Sequence, residues 1–148
     1  MKALVVYDTL YGNTEKIARA IAGAITGDVR ILRAGEAGPA DLAGVELLFV
    51  GSPTQGGQAT DPVQKFLDKI PAGALKNVRV ASFDTRLKTK LVKLFGYAAG
   101  RIEKALKGKG GTPASSPGLF QVKGPKGPLV DGEEERAAAW ARGIVEGK

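Results

Sequence analysis

From residue 3 to residue 146, short apolar runs take turns with segments whose apolar residues recur every three or four positions. That alternation of strand-like and helix-like stretches admits few folds. Residues 3–7 are continuously apolar and β-favouring, as a strand buried on both faces requires, and they give way to the turn-rich stretch 8–13. A helix follows, marked by Ile17, Ala18, Ile21, Ala24 and Ile25, with Asn13 or Thr14 as its cap and Glu15 near the positive end of its dipole. Residues 29–32 read as a second strand, 40–43 as a short helix, and Leu47-Leu48-Phe49-Val50 as a third, central strand. Thr60-Asp61-Pro62 supplies a cap and an early-turn proline for a helix carrying Val63, Phe66, Leu67 and Ile70, and Pro71 stops it.

The second half repeats the pattern. Residues 78–83 predict a fourth strand and 89–107 a helix, although Gly96 and Gly100 each weaken that helix by about 1 kcal/mol relative to alanine. The region 108–132 holds four of the eight prolines around one apolar stretch, 119–122, read as an edge strand with loops. Residues 133–146 predict the closing helix, with three glutamates at its start and Ala137, Trp140, Ala141, Ile144 and Val145 on one face. Trp140 at this spacing reads as packing. Five strands with intervening helices imply right-handed crossovers and a doubly wound five-stranded parallel sheet in the order 2-1-3-4-5, a three-layer α/β sandwich forming one domain over residues 1–148.

The chain has no cysteine and no histidine, which removes thiolate nucleophiles, the usual zinc sites and imidazole catalysis. Neither a catalytic side chain nor a metal-ligand set is expected, so chemistry at neutral pH points to a bound cofactor. The amino-terminal apolar run is too short for a signal-peptide core or a membrane span, and a cytoplasmic location without membrane insertion is the expectation. The formal charge of +7 is unevenly placed: residues 1–85 balance nine cations with nine anions, whereas 86–126 hold ten cations against Glu103 alone. On the predicted helix 89–107, Leu91, Leu94, Phe95, Ala98, Ile102, Ala105 and Leu106 fall on one side and Lys90, Lys93, Arg101, Lys104 and Lys107 on the other. Such a cationic face is either simply solvated or a docking surface for an acidic partner; no aromatic interleaving or recognised motif accompanies it to suggest nucleic acid.

In the order 2-1-3-4-5 the switch point lies between the first and third strands, so the loops after them face one crevice. The first, Thr9-Leu10-Tyr11-Gly12-Asn13-Thr14, opens onto a helix and combines three hydroxyls with a glycine. Such a turn can aim backbone N–H groups at a phosphate, or it is merely a capped strand-to-helix turn. It contains no lysine, and matches neither the nucleoside-triphosphate P-loop nor the Gly-x-Gly-x-x-Gly fingerprint. The second loop is Gly51-Ser52-Pro53-Thr54-Gln55-Gly56-Gly57.

These residues resemble the flavodoxin family, whose first strand leads into a Thr/Ser-x-Thr-Gly-x-Thr loop around the FMN phosphate. Thr9, Tyr11, Gly12 and Thr14 match that pattern, with Tyr11 in place of the more usual threonine. The resemblance implies a flavodoxin-like sandwich that binds FMN, with Thr9, Leu10, Tyr11, Gly12, Asn13 and Thr14 around the phosphate. It further implies Pro53, Thr54, Gln55, Gly56 and Gly57 beside the flavin ring near N5, and Asp84, Thr85 and Arg86 in a third loop bordering the other side. Gly56 and Gly57 are the candidates for a peptide that turns over on flavin reduction, since glycine takes either backbone hand.

The chain departs from that family in three respects. Neither 52–59 nor 84–93 contains an aromatic to stack on the flavin, leaving Tyr11, Phe95 and Tyr97 as candidates. The chain is basic where flavodoxins are usually acidic. Arg86 either approaches the N1/O2 edge, where a cation favours the reduced anion and raises its potential, or is solvated at a strand end. The third departure is the cationic helix face. A receiver domain is excluded because Gly51-Ser52-Pro53 offers no acidic phosphoacceptor at the end of the third strand. The resemblance implies an electron carrier working between redox partner proteins; an FMN-dependent NAD(P)H:quinone-type reductase and a flavin-free interaction module are the alternatives.

Overall fold

The computed structural model describes residues 1–87 and 97–147. Six strand segments occur among them: β1 (Lys2–Tyr7), β2 (Asp28–Arg33), β3 (Leu47–Pro53), β4 (Arg79–Leu87), β5 (Thr112–Pro113) and β6 (Gly118–Val122). The helices are α1 (Asn13–Gly23), α2 (Asp61–Lys69), α3 (Ala98–Gly108) and α4 (Glu133–Gly147); the short helix predicted at 40–43 is a 3-10 turn, Pro39–Leu42, and a second such turn, Ala34–Glu36, precedes it. The order is β2-β1-β3-β4-β5 with every pairing parallel, the predicted topology.

The fifth position is shared. β5 pairs with the start of β4 and β6 with its end, and residues 114–117 link the two outside either strand. Trp140 from α4 meets that link: its indole N–H donates to Ser115 Oγ (3.3 Å), and its ring makes edge contacts with Phe49, Phe83 and Phe120 at 5.7, 6.3 and 5.8 Å. It packs, as its helical spacing implies.

Alternation along the strands divides the core between the two faces of the sheet. Ala3, Val5, Leu47, Phe49, Ala81 and Phe83 pack with Ile17, Ile21, Ala137 and Ile144 from α1 and α4. Leu4, Val6, Leu48, Val50 and Val80 pack with Val63, Phe66, Ile102 and Leu106 from α2 and α3. With both faces covered, β1 and β3 read as unbroken apolar runs. No helix among the described residues is long and apolar enough to cross a membrane.

Two predicted details are corrected. The residue before α1 is Gly12, and neither Asn13 nor Thr14 caps it, because Asn13 Nδ2 donates to Lys126 O (3.2 Å) and Thr14 Oγ1 bonds Thr85 Oγ1 (2.7 Å). Thr60 precedes α2, but its hydroxyl donates to Asp8 Oδ2 (2.6 Å) rather than to the helix. In both places a polar side chain placed to cap its own helix ties two loops together instead. α3 starts at Ala98 because Tyr97 is extended (φ −136°, ψ 153°); the earlier part of the predicted helix, with Lys90, Leu91, Lys93, Leu94 and Phe95, lies outside the described residues.

Candidate functional site

The carboxyl ends of β1, β3 and β4 open on one cleft of about 440 Å³, within the roughly 300–1,000 Å³ class of cofactor sites. The first loop forms one wall. Gly12 sits in the left-handed region (φ 92°), which its missing Cβ permits, and its N–H donates to Thr9 Oγ1 at 2.8 Å. The leading N–H groups of a helix have no intrahelical acceptor, and no side-chain cap covers those of α1. They point their partial positive charge at whatever the cleft holds. Asp8 fixes this loop from behind: it is only 5% exposed, accepts from Thr60, and lies 3.4 Å from Arg33 Nε, while Arg33 Nη2 donates to Thr9 O at 2.8 Å. Sequence reasoning passed over Asp8 and Arg33, since nothing in a lone Asp-Thr dipeptide announces a clamp between strand ends.

The second loop is a two-residue hairpin. Gln55 and Gln58 exchange backbone hydrogen bonds of 2.8 and 2.9 Å around Gly56 and Gly57, whose φ values of 55° and 79° are those that such a turn requires. Its geometry is tied to α3, where Arg101 Nε donates to Gly57 O (2.8 Å) and Ala98 N–H donates to Thr54 Oγ1 (3.2 Å). Arg101, expected on the cationic face, is thus also a support of the cleft wall. Lys104 and Lys107 are exposed.

The third segment is corrected from loop to strand. Asp84, Thr85 and Arg86 lie within β4, because Ser52 and Pro53 on one side and Leu119, Phe120 and Gln121 on the other supply pairing partners for all three. Asp84 is fully buried and does not line the cleft. It accepts from Arg86 Nε and Nη2 (2.7 and 2.6 Å) and from Ala99 N–H (2.9 Å), so the guanidinium and the amino end of α3 both compensate its charge. Arg86 is 8% exposed and stacks 3.1 Å above the Tyr97 ring, which overturns the reading of a guanidinium solvated at a strand end. Its charge faces the cleft already paired.

Of the residues picked from the sequence, Thr9, Leu10, Tyr11, Asn13 and Thr14, then Pro53, Thr54, Gln55, Gly56 and Gly57, and finally Thr85 and Arg86 line the cleft. Gly12 and Asp84 stand behind it. Leu87, which continues the predicted third segment, completes the wall with Val122 and Pro125, and the latter two were missed. Val122 and Pro125 belong to a hairpin built by Lys123 N–H to Pro128 O (2.8 Å) and Val130 N–H to Gln121 O (2.9 Å), inside the irregular 108–132 region where periodicity carries no signal.

A family model described as Flavodoxin matches residues 5–140. The chain belongs to the flavodoxin family. It is 36% identical over 73 residues to a flavodoxin of Aquifex aeolicus, a stretch spanning 47% of this chain and 40% of that protein. Among solved structures it is similar to a flavodoxin from the domain Archaea (25% identity, TM-score 0.78, 99% of this chain and 98% of that one). It shares its fold with flavodoxin 2 of Bacillus cereus (20% identity, TM-score 0.85, 100% of both chains).

Family membership supports an FMN-binding electron-transfer protein and does not favour the reductase or the flavin-free module. The donor set fits FMN. The uncapped N–H groups of α1 suit a phosphate, and the Thr14–Thr85 pair leaves one hydroxyl hydrogen unspent, because only one of two bonded hydroxyls donates to the other. Aromatics are few on the ring side: Tyr97 is committed beneath Arg86, Phe95 lies outside the described residues, and among the described residues Tyr11, 56% exposed, is the aromatic that lines the cleft.

Proposed function

We propose that residues 1–148 form one domain that binds FMN noncovalently in this cleft and carries electrons between redox partner proteins in the cytoplasm. The observation that carries the reading is the convergence of three separate chain segments, at the carboxyl ends of β1, β3 and β4, on one cleft whose walls are hydroxyls, open backbone N–H groups and glycines. When bound, FMN supplies the redox chemistry. The chain's own residues bind and orient. Thr9, Thr14 and the amino end of α1 receive the phosphate. The Gly56-Gly57 turn, held by Arg101, and the side chains of Pro53, Leu87, Val122 and Pro125 shield the ring system from water on several sides. The Asp84–Arg86 pair bears on that side as a dipole rather than as a free cation.

The partner reading is an acidic redox protein that meets the Lys104 and Lys107 face of α3, together with Arg101 and, beyond the described residues, Lys90 and Lys93. Opposite potentials raise encounter rates and make them fall with salt. The decisive experiment is a fluorescence titration of flavin-stripped protein with FMN and with riboflavin. Saturable FMN binding much tighter than riboflavin binding is expected; binding of neither overturns the electron-carrier reading.

A further inference from the structure

The Thr9–Thr14 loop offers hydroxyls and amides but no cation of its own. The guanidinium that contacts it, that of Arg33, is committed to Asp8 and to Thr9 O. One ammonium approaches the loop from the far end of the chain. The 121–130 hairpin turns at Gly124-Pro125-Lys126-Gly127, closed by Gly127 N–H to Gly124 O (2.9 Å), and this turn is seated against the first residue of α1. Asn13 Nδ2 donates to Lys126 O (3.2 Å), and a Cβ on Gly127 would lie 2.6 Å from the Asn13 amide, so only glycine lets the turn come this close.

The backbone of Lys126 is therefore fixed beside the loop, while its neighbour Pro125 lines the cleft. The side chain extends over Tyr11, with Nζ 5.9 Å from the ring centroid. Lys123 of the same hairpin faces Asp131 at 3.5 Å, whereas Lys126 forms no ion pair among the described residues. An ammonium on a flexible stem, anchored at its root and lacking a carboxylate, suits an incoming phosphate carrying about −1.5 to −2 charges.

We propose that Lys126 is the cation of the phosphate end of the cleft, so that this chain selects a flavin phosphomonoester over the uncharged flavin by charge as well as by hydroxyl and amide hydrogen bonds. The inference rests on the FMN reading above. It makes discrimination between FMN and riboflavin dependent on salt, because an ion pair made by the exposed Lys126 ammonium is screened over about 10 Å at 0.1 M ionic strength.

The test titrates flavin-stripped protein with FMN and with riboflavin, at low and at high salt, for the unaltered chain and for Lys126→Gln, Lys126→Arg and Lys76→Gln. Lys76 precedes β4, at the opposite end of the sheet, and controls for net charge. Expected is a loss of about 3- to 10-fold in FMN affinity for Lys126→Gln at low salt, with riboflavin unchanged and the loss shrinking at high salt. Lys126→Arg should retain FMN binding and Lys76→Gln should match the unaltered chain. An unchanged FMN-to-riboflavin ratio in Lys126→Gln overturns the proposal and leaves the FMN reading standing, as does an equal loss for both flavins, which would mean that the turn had moved. If the unaltered chain binds neither flavin, the FMN reading fails and takes this proposal with it.

Discussion

Thr14 and Thr85, 71 positions apart in sequence, bring their hydroxyl oxygens to 2.7 Å. The bond joins the first turn of α1 to the end of β4 and sets the distance between two walls of the cleft. Replacing Thr85 with valine keeps the shape and removes the partner of a hydroxyl that is only 1% exposed. The variant should lose about 1–3 kcal/mol of stability in urea titration and bind FMN about 5- to 10-fold more weakly by fluorescence.

Arg101 reaches from α3 to the Gly57 carbonyl, and the turn that it holds, closed by the Gln55–Gln58 backbone bonds, has two conformationally free glycines at its tip. Arg101→Gln should leave stability within about 1 kcal/mol while weakening FMN by about 3- to 10-fold. Titration and urea melts run on the same preparation separate the two effects.

Gly51 lies opposite Phe83 in the β3–β4 register, and an added Cβ would stand 2.1 Å from the ring. The ring it would meet is fully buried, so relief requires the core to move. Gly51→Ala should cost about 3 kcal/mol or more, and Gly51→Ala combined with Phe83→Leu should recover part of the loss in denaturant midpoints.

Glu133 at the start of α4 accepts from Arg136 Nε (2.8 Å) and Nη2 (2.7 Å) and from the Gln121 amide (2.7 Å). The Arg136 hydrogen bonds, helped by that amide and opposed by burial, hold its carboxyl below the ordinary glutamate value. A carboxyl whose folded value is lowered contributes stability fully above its unfolded value, and that contribution is lost as pH falls through the folded value. Glu133→Gln should therefore be less stable than the unaltered chain by about 1–2 kcal/mol at pH 7. Urea melts taken at decreasing pH should show the gap closing in the acid range.

Ser82, on β4, is buried, and its hydroxyl has no hydrogen-bond partner among the described residues. A desolvated hydroxyl without a partner is a cost. Ser82→Ala should be neutral or stabilising by up to about 1 kcal/mol, read as an equal or higher denaturant midpoint.

The sheet order was legible because β1 and β3 are apolar on both faces and the amphipathic stretches between strands have one apolar side. The two cleft loops were legible because hydroxyls and glycines cluster immediately after predicted strands. The extent of β4 was not: Asp84 and Arg86 read as loop residues, and their pairing with each other, the Ala99 N–H, the Tyr97 ring and the proximity of β6 make them tolerable inside a sheet. The Asp8–Thr60–Arg33 clamp and the Pro125 wall were equally hidden, since each joins residues from distant segments that carry no shared period. Side chains such as Asn13 and Thr60 sat where local rules assign caps, and tertiary partners outcompeted the helix ends for them.

The interruption of the fifth strand at residues 114–117 also bears on how this chain behaves in a crowd of its own copies. A long, straight, unpaired strand margin is a template on which another chain can add and propagate. Here one margin is broken into a two-residue and a five-residue piece, and the other, β2, carries Asp28, Arg30 and Arg33 along a largely exposed or half-exposed strand. A highly parallel sheet is thereby closed to lateral growth at both ends, by broken geometry on one side and by charge on the other.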